Sequence, residues 1–296
     1  MMVVVKLIGG LGNQLFQYAA GRSLAYRLKA NLKLDVSAFQ SYKLRKYKLS
    51  HYSIKEEFAS ENEVAGFELL ESSRRKYFIN VLCGYVAPAK KKVIFREPVL
   101  MPVRRDMFGE VGSFYLDGYW QSEKYFSRIN NIIREEFRLK TCLSEQSLRM
   151  ANEIQGCNSV SMHIRRGDYA YNPKTNTVHG VCEKEYYYRC VEKIASTTPD
   201  LRIFIFSDDM GWVVENMRLP CRTTHVAHNG EENDYEDLSL MSMCKHHIIA
   251  NSSFSWWGGW LGAPSSPLHP VIAPSTWFAD GHSDAGELVP RDWVRL

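Results

Sequence analysis

Three short apolar runs, each followed by a polar cluster, organise the second half of the chain. They lie near residues 160–164, 203–206 and 247–250, and helical spacing of apolar residues follows them. In the first of them, Val160, Met162 and Ile164 alternate with Ser161 and His163. This repeated order of strand, loop and helix predicts a parallel sheet, because such connections return each strand in the same direction. The polar clusters then meet at the carboxyl edge of the sheet, where α/β proteins bind ligands.

The first half opens with the same order of elements. Residues 3–8 form a short apolar run that only Lys6 interrupts, and residues 9–13 read Gly-Gly-Leu-Gly-Asn. Residues 16–28 then place apolar side chains at i, i+4 spacing. Alternation at residues 32–36 predicts the next strand, so the opening is a βαβ unit. A strand at 113–116 and a helix at 125–137 follow, whereas periodicity over residues 42–105 is too weak to assign.

Chain length supports two units of this kind. The chain has 296 residues, and a domain has roughly 150, so we expect two domains with a boundary near residue 150. Hydrophobic residues make up 45% of the chain and charged residues 24%. This composition is that of a folded globular protein and excludes disordered and fibrous classes. The predicted fold class is α/β, with a ligand crevice in each half.

Charge and cysteine content exclude further classes. The 37 Lys and Arg against 33 Asp and Glu give a net charge of +4 without a long basic stripe, so we expect no nucleic-acid partner. No apolar run reaches the roughly 18 residues of a membrane helix, and residues 1–10 lack a basic signal-peptide start. We therefore expect a cytoplasmic protein. Seven cysteines without a Cys-x-x-Cys pair indicate reduced thiols rather than zinc ligands.

Two consecutive arginines, Arg165 and Arg166, directly follow the first of the three strands. Guanidinium groups at the edge of a sheet offer a rigid set of N–H donors suited to a phosphate or diphosphate. The alternative is that Arg165 pairs with a structural carboxylate such as Asp168 and that Arg166 lies on the surface. Residues 251–253, at a predicted helix start, offer a second anion site through the helix dipole, or only an N-cap.

A dinucleotide site is the rival interpretation of the first loop. Gly10 and Gly12 follow the first strand, and Asp35 ends the next one, as in proteins that bind the ribose of NAD. Leu15 stands where the third glycine of that fingerprint belongs, so the match is weak. The helix start instead offers two side-chain amides suited to neutral hydroxyl groups, those of Asn13 and Gln14.

Metal and nucleophilic chemistry find little support in the sequence. Neither a His-Glu-x-x-His motif nor a Gly-x-Ser-x-Gly motif occurs. The adjacent His246 and His247 would point to opposite faces of a strand, which places one of them in the core. Asp234 and Glu236 resemble an Asp-x-Asp metal motif, but acidic residues also favour a helix start, and we adopt that interpretation.

Five motifs follow one another in a fixed order: residues 9–14 (GGLGNQ), 116–121 (LDGYWQ), 163–169 (HIRRGDY), 206–209 (FSDD) and 251–257 (NSSFSWW). Together they resemble bacterial α-1,2-fucosyltransferases of glycosyltransferase family 11 over nearly the whole chain. The resemblance implies a GT-B-type fold with two Rossmann-like domains facing across a cleft. Residues 1–150 would form the acceptor side, and residues 151–296 would bind GDP-fucose.

The resemblance also implies the reaction. An inverting, metal-independent enzyme would move L-fucose from GDP-β-L-fucose to the 2-OH of a terminal galactose, with no cofactor besides this donor. The galactose would belong to a surface glycan such as an O-antigen, or to a lactose-type oligosaccharide. Charge grows on the leaving GDP in the transition state, and Arg165 is the candidate to neutralise it.

The motif resemblance also implies which residues bind the donor. Asp237 matches an acidic residue with which related fucosyltransferases read guanine, and its alternative is a solvated helix position. His163 either touches the nucleotide or is a core histidine. The implied donor-binding residues are His163, Arg166, Asp208, Asp237, Asn251, Ser252, Ser253, Phe254, Gly10 and Asn13.

The acceptor side is less defined. The implied acceptor-binding residues are Gln14, Asp117, Tyr119, Trp120 and Gln121. Tyr119 and Trp120 would stack on a sugar face, or else belong to the core. The acceptor hydroxyl must lose a proton, and the general base stays open between Asp168, which we place with Arg165 as catalytic, Glu183, Asp117 and a water relay.

Two further interpretations complete the set. A galactoside-binding protein that keeps the fold but lacks catalysis stands beside the NAD-linked oxidoreductase as an alternative. The basic runs at residues 74–76 and 90–92 would attract an anionic membrane surface, which implies peripheral contact with the inner membrane, or they are simply solvated.

Overall fold

Two parallel β-sheets, one in each of two units, form the framework of the protein. The computed structural model describes residues 1–41, 45–69, 92–97, 112–262, 268–279 and 287–296. The chain divides into Met1–Lys140 and Thr141–Leu296. This division lies ahead of the boundary expected near residue 150, because the helix Glu145–Gln155 packs its buried Ile154 into the core of the second unit.

In its described residues, the first unit holds a five-stranded sheet. The strands are β1 Met2–Lys6, β2 Asn31–Asp35, β3 Glu68–Leu69, β4 Lys92–Arg96 and β5 Ser113–Asp117. They pair in parallel in the order β2-β1-β5-β4-β3. The helices are α1 Leu11–Leu28, α2 Ala38–Ser41, α3 Glu61–Ala65 and α4 Asn130–Glu136, and 3₁₀ turns lie at Leu49–His51, Glu123–Tyr125 and Ser127–Ile129.

Burial on both faces explains the inner strand β1. Val3, Val4 and Val5 are all fully buried, as expected of a parallel strand that is covered on both sides. Helix α1 packs so closely on it that a Cβ added at Gly21 would lie 3.0 Å from the Cβ of Val5. Since β1 and β2 also pair in parallel, the predicted βαβ opening is confirmed.

The helix expected over residues 125–137 is shorter than predicted, because α4 begins only at Asn130. The 3₁₀ turns before it place Phe126 and Ile129 in the core. The ring centre of Phe126 lies 6.4 Å from that of Phe16. Packing of these side chains against α1 overrides the local preference for one continuous helix.

The described part of the second unit contains a six-stranded parallel sheet in the order β11-β10-β9-β6-β7-β8. Its strands are β6 Asn158–Ile164, β7 Leu201–Ser207, β8 Arg222–Val226, β9 His246–Ile248, β10 Val271–Ala273 and β11 Val294–Arg295. Its helices are α5 Glu145–Gln155, α6 Gly167–Tyr171, α7 Pro173–His179, α8 Lys184–Ala195, α9 Met210–Asn216, α10 Asp234–Ser242 and α11 Ser253–Leu261.

Apolar clusters cover both faces of this sheet. The isoleucines of β7 belong to one cluster, and Phe204 and Phe206 belong to the other. This double cover also buries His246 and His247 together, where the sequence led us to expect only one of them in the core. Because its strands pair in parallel, the sheet predicted for the second half is confirmed.

The carboxyl ends of the strands point to one edge in each sheet. In the second unit, the loops after β6, β7, β8 and β9 carry Arg165, Asp208, Asn229 and Ser252. Across the described ranges, no helix is both long and apolar enough to cross a membrane. The basic runs at 74–76 and 90–91 lie outside the described residues.

Candidate functional site

Two carboxylates hold the guanidinium of Arg165 at the carboxyl end of β6. Its Nη1 lies 2.7 Å from Oδ2 of Asp208, and its Nη2 pairs with Oδ1 of Asp168. The guanidinium carbon also lies 5.0 Å from the ring centre of Tyr169. The ion pair with Asp168 that the sequence left as an alternative is therefore present. Because a guanidinium has five N–H donors, Arg165 keeps further donors for an anion.

Asp208 connects the loops after β6 and β7. Its Oδ1 accepts the backbone N–H of Arg166 at 2.8 Å, while Oδ2 binds Arg165. A Cβ added at Gly167 would overlap Oδ2 of Asp208. The glycine of the arginine motif is thus the residue that lets this carboxylate approach the loop.

Arg166 is fixed within the same loop. Its Nε lies 3.2 Å from Oδ2 of Asp209, and its guanidinium carbon lies 3.8 Å above the ring centre of Trp212. Burial raises the pKa of Asp209, but hydrogen bonds from Tyr171, the Trp212 N–H and Arg166 outweigh it and lower that pKa overall. These contacts hold Arg166 within the loop, whereas the alternative interpretation had placed it on the surface.

Asn251 and Ser252, which the sequence predicts to bind the donor together, make different contacts at the start of α11. Asn251 is buried, and its Nδ2 donates to the carbonyls of His179 at 2.7 Å and Trp277 at 3.2 Å. Its amide therefore joins segments of the second unit, which argues against the donor contact expected for it. Ser252 accepts the N–H of Phe254 at 3.3 Å and so caps the helix, as its alternative interpretation proposed.

His163 is enclosed beside this helix start. Its ring centre lies 5.5 Å from that of Phe254, and its Nδ1 is buried without a hydrogen-bond partner in the described residues. Burial first, and then the charge of Arg165, lower the pKa of His163 to about 3. The side chain is therefore a neutral imidazole with one unused polar atom. Ser253 and Phe254 remain partly exposed at the same place.

Asp237, in the first turn of α10, combines burial with a single neutral donor. Nδ2 of Asn229 donates to its Oδ1 at 2.7 Å. Burial raises the pKa of Asp237 to about 7, with smaller contributions from Asp234 and Glu236, against the lowering effect of Asn229. A desolvated carboxylate with unfilled acceptor capacity is prepared to take N–H donors from a ligand.

A hydrogen-bond network that no sequence motif indicates holds Asn229, the partner of Asp237. The Oγ of the fully buried Ser147 donates to Oδ1 of Asn229 at 3.2 Å and lies 2.9 Å from Nε2 of His228. No motif marks these residues, since they come from α5 and from the loop after β8. The predicted acidic start of α10 is confirmed at Asp234.

In the first unit, the glycine loop is organised around two amides. Gly9 has φ +80°, a conformation open to glycine. Oδ1 of Asn13 accepts from Nε2 of Gln121 at 2.8 Å. Gln14 is fully buried and donates to the carbonyls of Gly9 and Lys46, both at 2.9 Å. The Gln14 amide therefore shapes the loop, which argues against the acceptor contact expected for it.

Asp35, on which the dinucleotide interpretation depended, is buried and has internal partners. It accepts the hydroxyl of Tyr115 at 2.6 Å and the N–H of Ser37 at 2.9 Å. A ribose would have to displace the tyrosine. Gly10 is the N-cap of α1, and a Cβ added there would lie 4.0 Å from Nε of Arg45.

The candidate general bases differ in their partners. Asp117 lies 3.2 Å from Nζ of Lys6 and 3.3 Å from Nε of Arg96. Glu183 is exposed before α8, and the side chain of Asp168 is 47% exposed beside Arg165. Within the described ranges, no group of three or more His, Cys, Asp or Glu is arranged to hold a metal ion.

The turn after β5 carries the remaining predicted residues. Tyr119 is 46% exposed, whereas Trp120 is buried with its ring centre 5.3 Å from that of Tyr125. Both backbone N–H groups of Tyr119 and Trp120 donate to Glu97. Glu97 could not be identified from the sequence either, because it lies in the stretch with weak periodicity.

Comparison with solved structures defines the fold. The fold is similar to that of the fucosyltransferase NodZ from Bradyrhizobium, with a TM-score of 0.51 and 13% identity over 88% of this chain and 93% of that one. At this identity the likeness shows the fold, which is α/β with two parallel sheets and of GT-B type. The predicted fold class is confirmed.

Comparison of sequences then gives the family. The model of glycosyl transferase family 11 matches residues 101–295, and the chain belongs to that family. It is 33% identical to an α-1,2-colitosyltransferase of Escherichia coli over 100% of this chain and 99% of the relative. It is also 30% identical to the O-antigen biosynthesis glycosyltransferase WbnK of Escherichia coli, over 98% and 99% of the two chains. The resemblance drawn from the motifs is confirmed, and the protein is a glycosyltransferase.

Proposed function

We propose that this enzyme transfers L-fucose from GDP-β-L-fucose to the 2-OH of a terminal galactose, with inversion to an α-1,2 linkage. The observation that carries the proposal is the fixed guanidinium of Arg165 at the carboxyl edge of the second sheet. In this proposal the second unit binds the donor and the first unit binds the acceptor.

Arg165 acts on the leaving group. The bond from C1 of fucose to the β-phosphate oxygen breaks, and GDP departs with the bonding electrons. A preoriented cation at that oxygen stabilises charge that grows only in the transition state, which contributes several kcal/mol. Diphosphate replaces the exposed Asp168 as a partner of Arg165, while Asp208 keeps the guanidinium in place. The first N–H groups of α11, next to Ser253, add a second donor set for the diphosphate.

Asp237 recognises the base. Guanine presents N1–H and an exocyclic N–H on one edge, and one carboxylate accepts both. Asn229 occupies a single lone pair of Asp237 at 2.7 Å, so acceptor capacity remains. Uracil and adenine do not present two such donors side by side. Burial of Asp237 supports this role, because N–H donors from guanine would replace the solvent that the carboxylate has lost.

The acceptor sugar stacks on the turn with Tyr119, and its 2-hydroxyl attacks C1 of fucose. A new C–O bond forms as the bond to phosphate breaks, and the hydroxyl proton passes to a base. We assign that base to Asp168, which loses its partner Arg165 when diphosphate binds. We do not assign the base to Asp117, because its carboxylate is already engaged in ion pairs with Lys6 and Arg96.

Colitose is the second candidate for the transferred sugar, because the relative with 33% identity is an α-1,2-colitosyltransferase. Colitose lacks one ring hydroxyl of L-fucose, so a donor pocket that binds fucose through this hydroxyl would discriminate against it. We expect GDP-fucose to be the better donor.

The experiment incubates the enzyme with lactose and either GDP-fucose or GDP-colitose in EDTA, and determines the product by NMR. An α-1,2-linked fucosyl-lactose supports the proposal, with Arg165→Ala as the inactive comparison. Exclusive use of GDP-colitose would change the donor but keep the mechanism. Absence of transfer to lactose and to a panel of other galactosides would refute the proposal.

The acceptor in the cell is, in this proposal, a galactose-terminated glycan of a bacterial surface polysaccharide. The relative WbnK, named for O-antigen biosynthesis, supports this placement. Peripheral contact with the inner membrane through the basic runs at 74–76 and 90–92 would bring the enzyme to such glycans. Co-sedimentation of the protein with anionic vesicles that weakens with salt would support membrane contact. Co-sedimentation that does not change with salt would contradict it.

A further inference from the structure

One carboxylate oxygen anchors the turn that follows β5. Oε2 of Glu97 accepts the backbone N–H of Tyr119 and that of Trp120, both at 2.7 Å. Glu97 directly follows β4, the neighbour of β5 in the sheet, and its own N–H donates to the carbonyl of Asp117 at 2.9 Å. The side chain thus crosses from one strand end to the next and binds two consecutive peptide groups.

The turn takes a shape that it would not hold alone. A Cβ added at Gly118 would overlap the Cβ of Glu97, so only glycine permits this approach. Trp120 has φ +56°, in the left-handed region, where residues other than glycine are strained. The N–H groups of Tyr119 and Trp120 each donate a charge-assisted hydrogen bond to Glu97, and these two bonds offset that strain. Strain held in this way is common at ligand-binding positions.

The anchored turn presents an exposed aromatic ring between amide groups. Tyr119 is 46% exposed, while the buried Trp120 packs edge-on against Tyr125 beneath it. Nε1 of Trp120 is buried without a hydrogen-bond partner in the described part of the chain. The neighbouring Gln121 is held by Asn13 at 2.8 Å. An aromatic face beside fixed amides matches a sugar, which has both apolar C–H faces and hydroxyl groups.

We infer that Glu97 is the positioning residue of the acceptor site, which sets the turn of Tyr119 and Trp120 so that Tyr119 stacks on the galactose ring. The inference rests on the proposed function for the identity of the sugar. Glu97 itself contacts the turn and not the substrate. Its carboxylate determines where the acceptor lies, and therefore affects the acceptor KM more than the donor KM.

The test compares Glu97→Gln with Glu63→Gln, a matched control in the same unit. Glu63 also accepts a backbone N–H, that of Ser60 at 2.9 Å, but at the start of α3. Glutamine at 97 keeps the size of the side chain and removes the charge from both hydrogen bonds. We expect the KM for lactose to rise about tenfold or more in Glu97→Gln, with the KM for GDP-fucose unchanged. Glu63→Gln leaves both values unchanged.

A binding measurement separates this inference from the proposed function. Saturation-transfer NMR with lactose and no donor reports acceptor binding even if turnover fails. Loss of the lactose signal in Glu97→Gln and in the surface variant Tyr119→Ala, with the wild-type signal retained, supports the inference. Equal increases in both KM values would overturn it, and so would lactose binding that is unaffected by both variants. Wild-type binding of lactose without any glycosyl transfer would instead refute the proposed function.

Discussion

Asp208 occupies the space beside Gly167 that a side chain would need. A Cβ at position 167 would overlap Oδ2 of Asp208, the oxygen that also binds Nη1 of Arg165 at 2.7 Å. The glycine and the arginine of one motif are therefore coupled through a carboxylate from another strand. The motifs after β6 and β7 are therefore joined through the carboxylate of Asp208.

Replacement of Gly167 by alanine tests this coupling. The new methyl group must push Asp208 away from Arg165, and overpacking of this kind costs about 1–3 kcal/mol. We expect kcat for fucosyl transfer to fall by roughly tenfold or more, because the guanidinium loses its fixed direction. Gly211→Ala is the control, since nothing lies within 4 Å of a Cβ at that position of α9. It should raise the melting temperature slightly and leave kcat unchanged. Equal activity in the two variants would contradict the coupling.

The two arginines should differ in kinetics. Arg165→Lys keeps the charge but loses the planar fork, and removal of one such donor typically lowers kcat about 10²–10³-fold. Arg166→Lys should lower the melting temperature more than kcat, because Arg166 pairs with Asp209 and stacks on Trp212. Steady-state kinetics with thermal unfolding on both variants checks this. A larger loss of kcat in Arg166→Lys than in Arg165→Lys would contradict the roles proposed for the two arginines.

Binding of GDP-fucose should depend on the protonation of Asp237. Burial raises its pKa to about 7, and guanine N–H donors need the carboxylate. We therefore expect affinity to fall as pH decreases below about 7, approaching tenfold per pH unit. GDP-fucose suits this titration because its phosphodiester groups do not ionise near neutrality. Asp237→Asn should bind weakly at every pH, and a pH dependence that survives this change would assign the titration to another group.

The same shift predicts a stability effect of opposite sign. The pKa of Asp237 is raised from 3.8 to about 7 in the folded protein, so the folded state holds its proton more tightly. Stability is then lost as pH rises from about 4 to about 7. Asp237→Asn should melt at a higher temperature than wild type at pH 8, with little difference at pH 4. A lower melting temperature at pH 8 would show that the charged form is stabilised in the fold.

The framework could be predicted from the sequence because it depends on apolar patterning. Burial on both faces leaves apolar runs in β1 and β7, and in β6 three apolar residues alternate with Ser161 and His163. These patterns identify the three strands directly. β8 and β10 were not assigned, since β8 is mostly polar and partly exposed, and β10 has three residues. Neither sequence pattern distinguishes a strand from a loop.

The charged part of the candidate site was predictable from the sequence. The arginine motif and the acidic cluster after β7 meet at one edge, as parallel strands require. The roles of the amides were not predictable, because Gln14 and Asn251 look like ligand-binding groups until their backbone partners are known. Glu97 contacts Tyr119, which lies 22 residues further along the chain, and Asn229 contacts Asp237 in the following helix. No local sequence pattern indicates either contact.

The most direct measurement is calorimetric titration of wild type and Arg165→Ala with GDP, UDP and NAD in EDTA. We expect that GDP alone binds to the wild type, that the chelator has no effect, and that Arg165→Ala weakens binding. Binding of UDP or NAD without GDP would contradict both the donor assignment and the roles of Arg165 and Asp237.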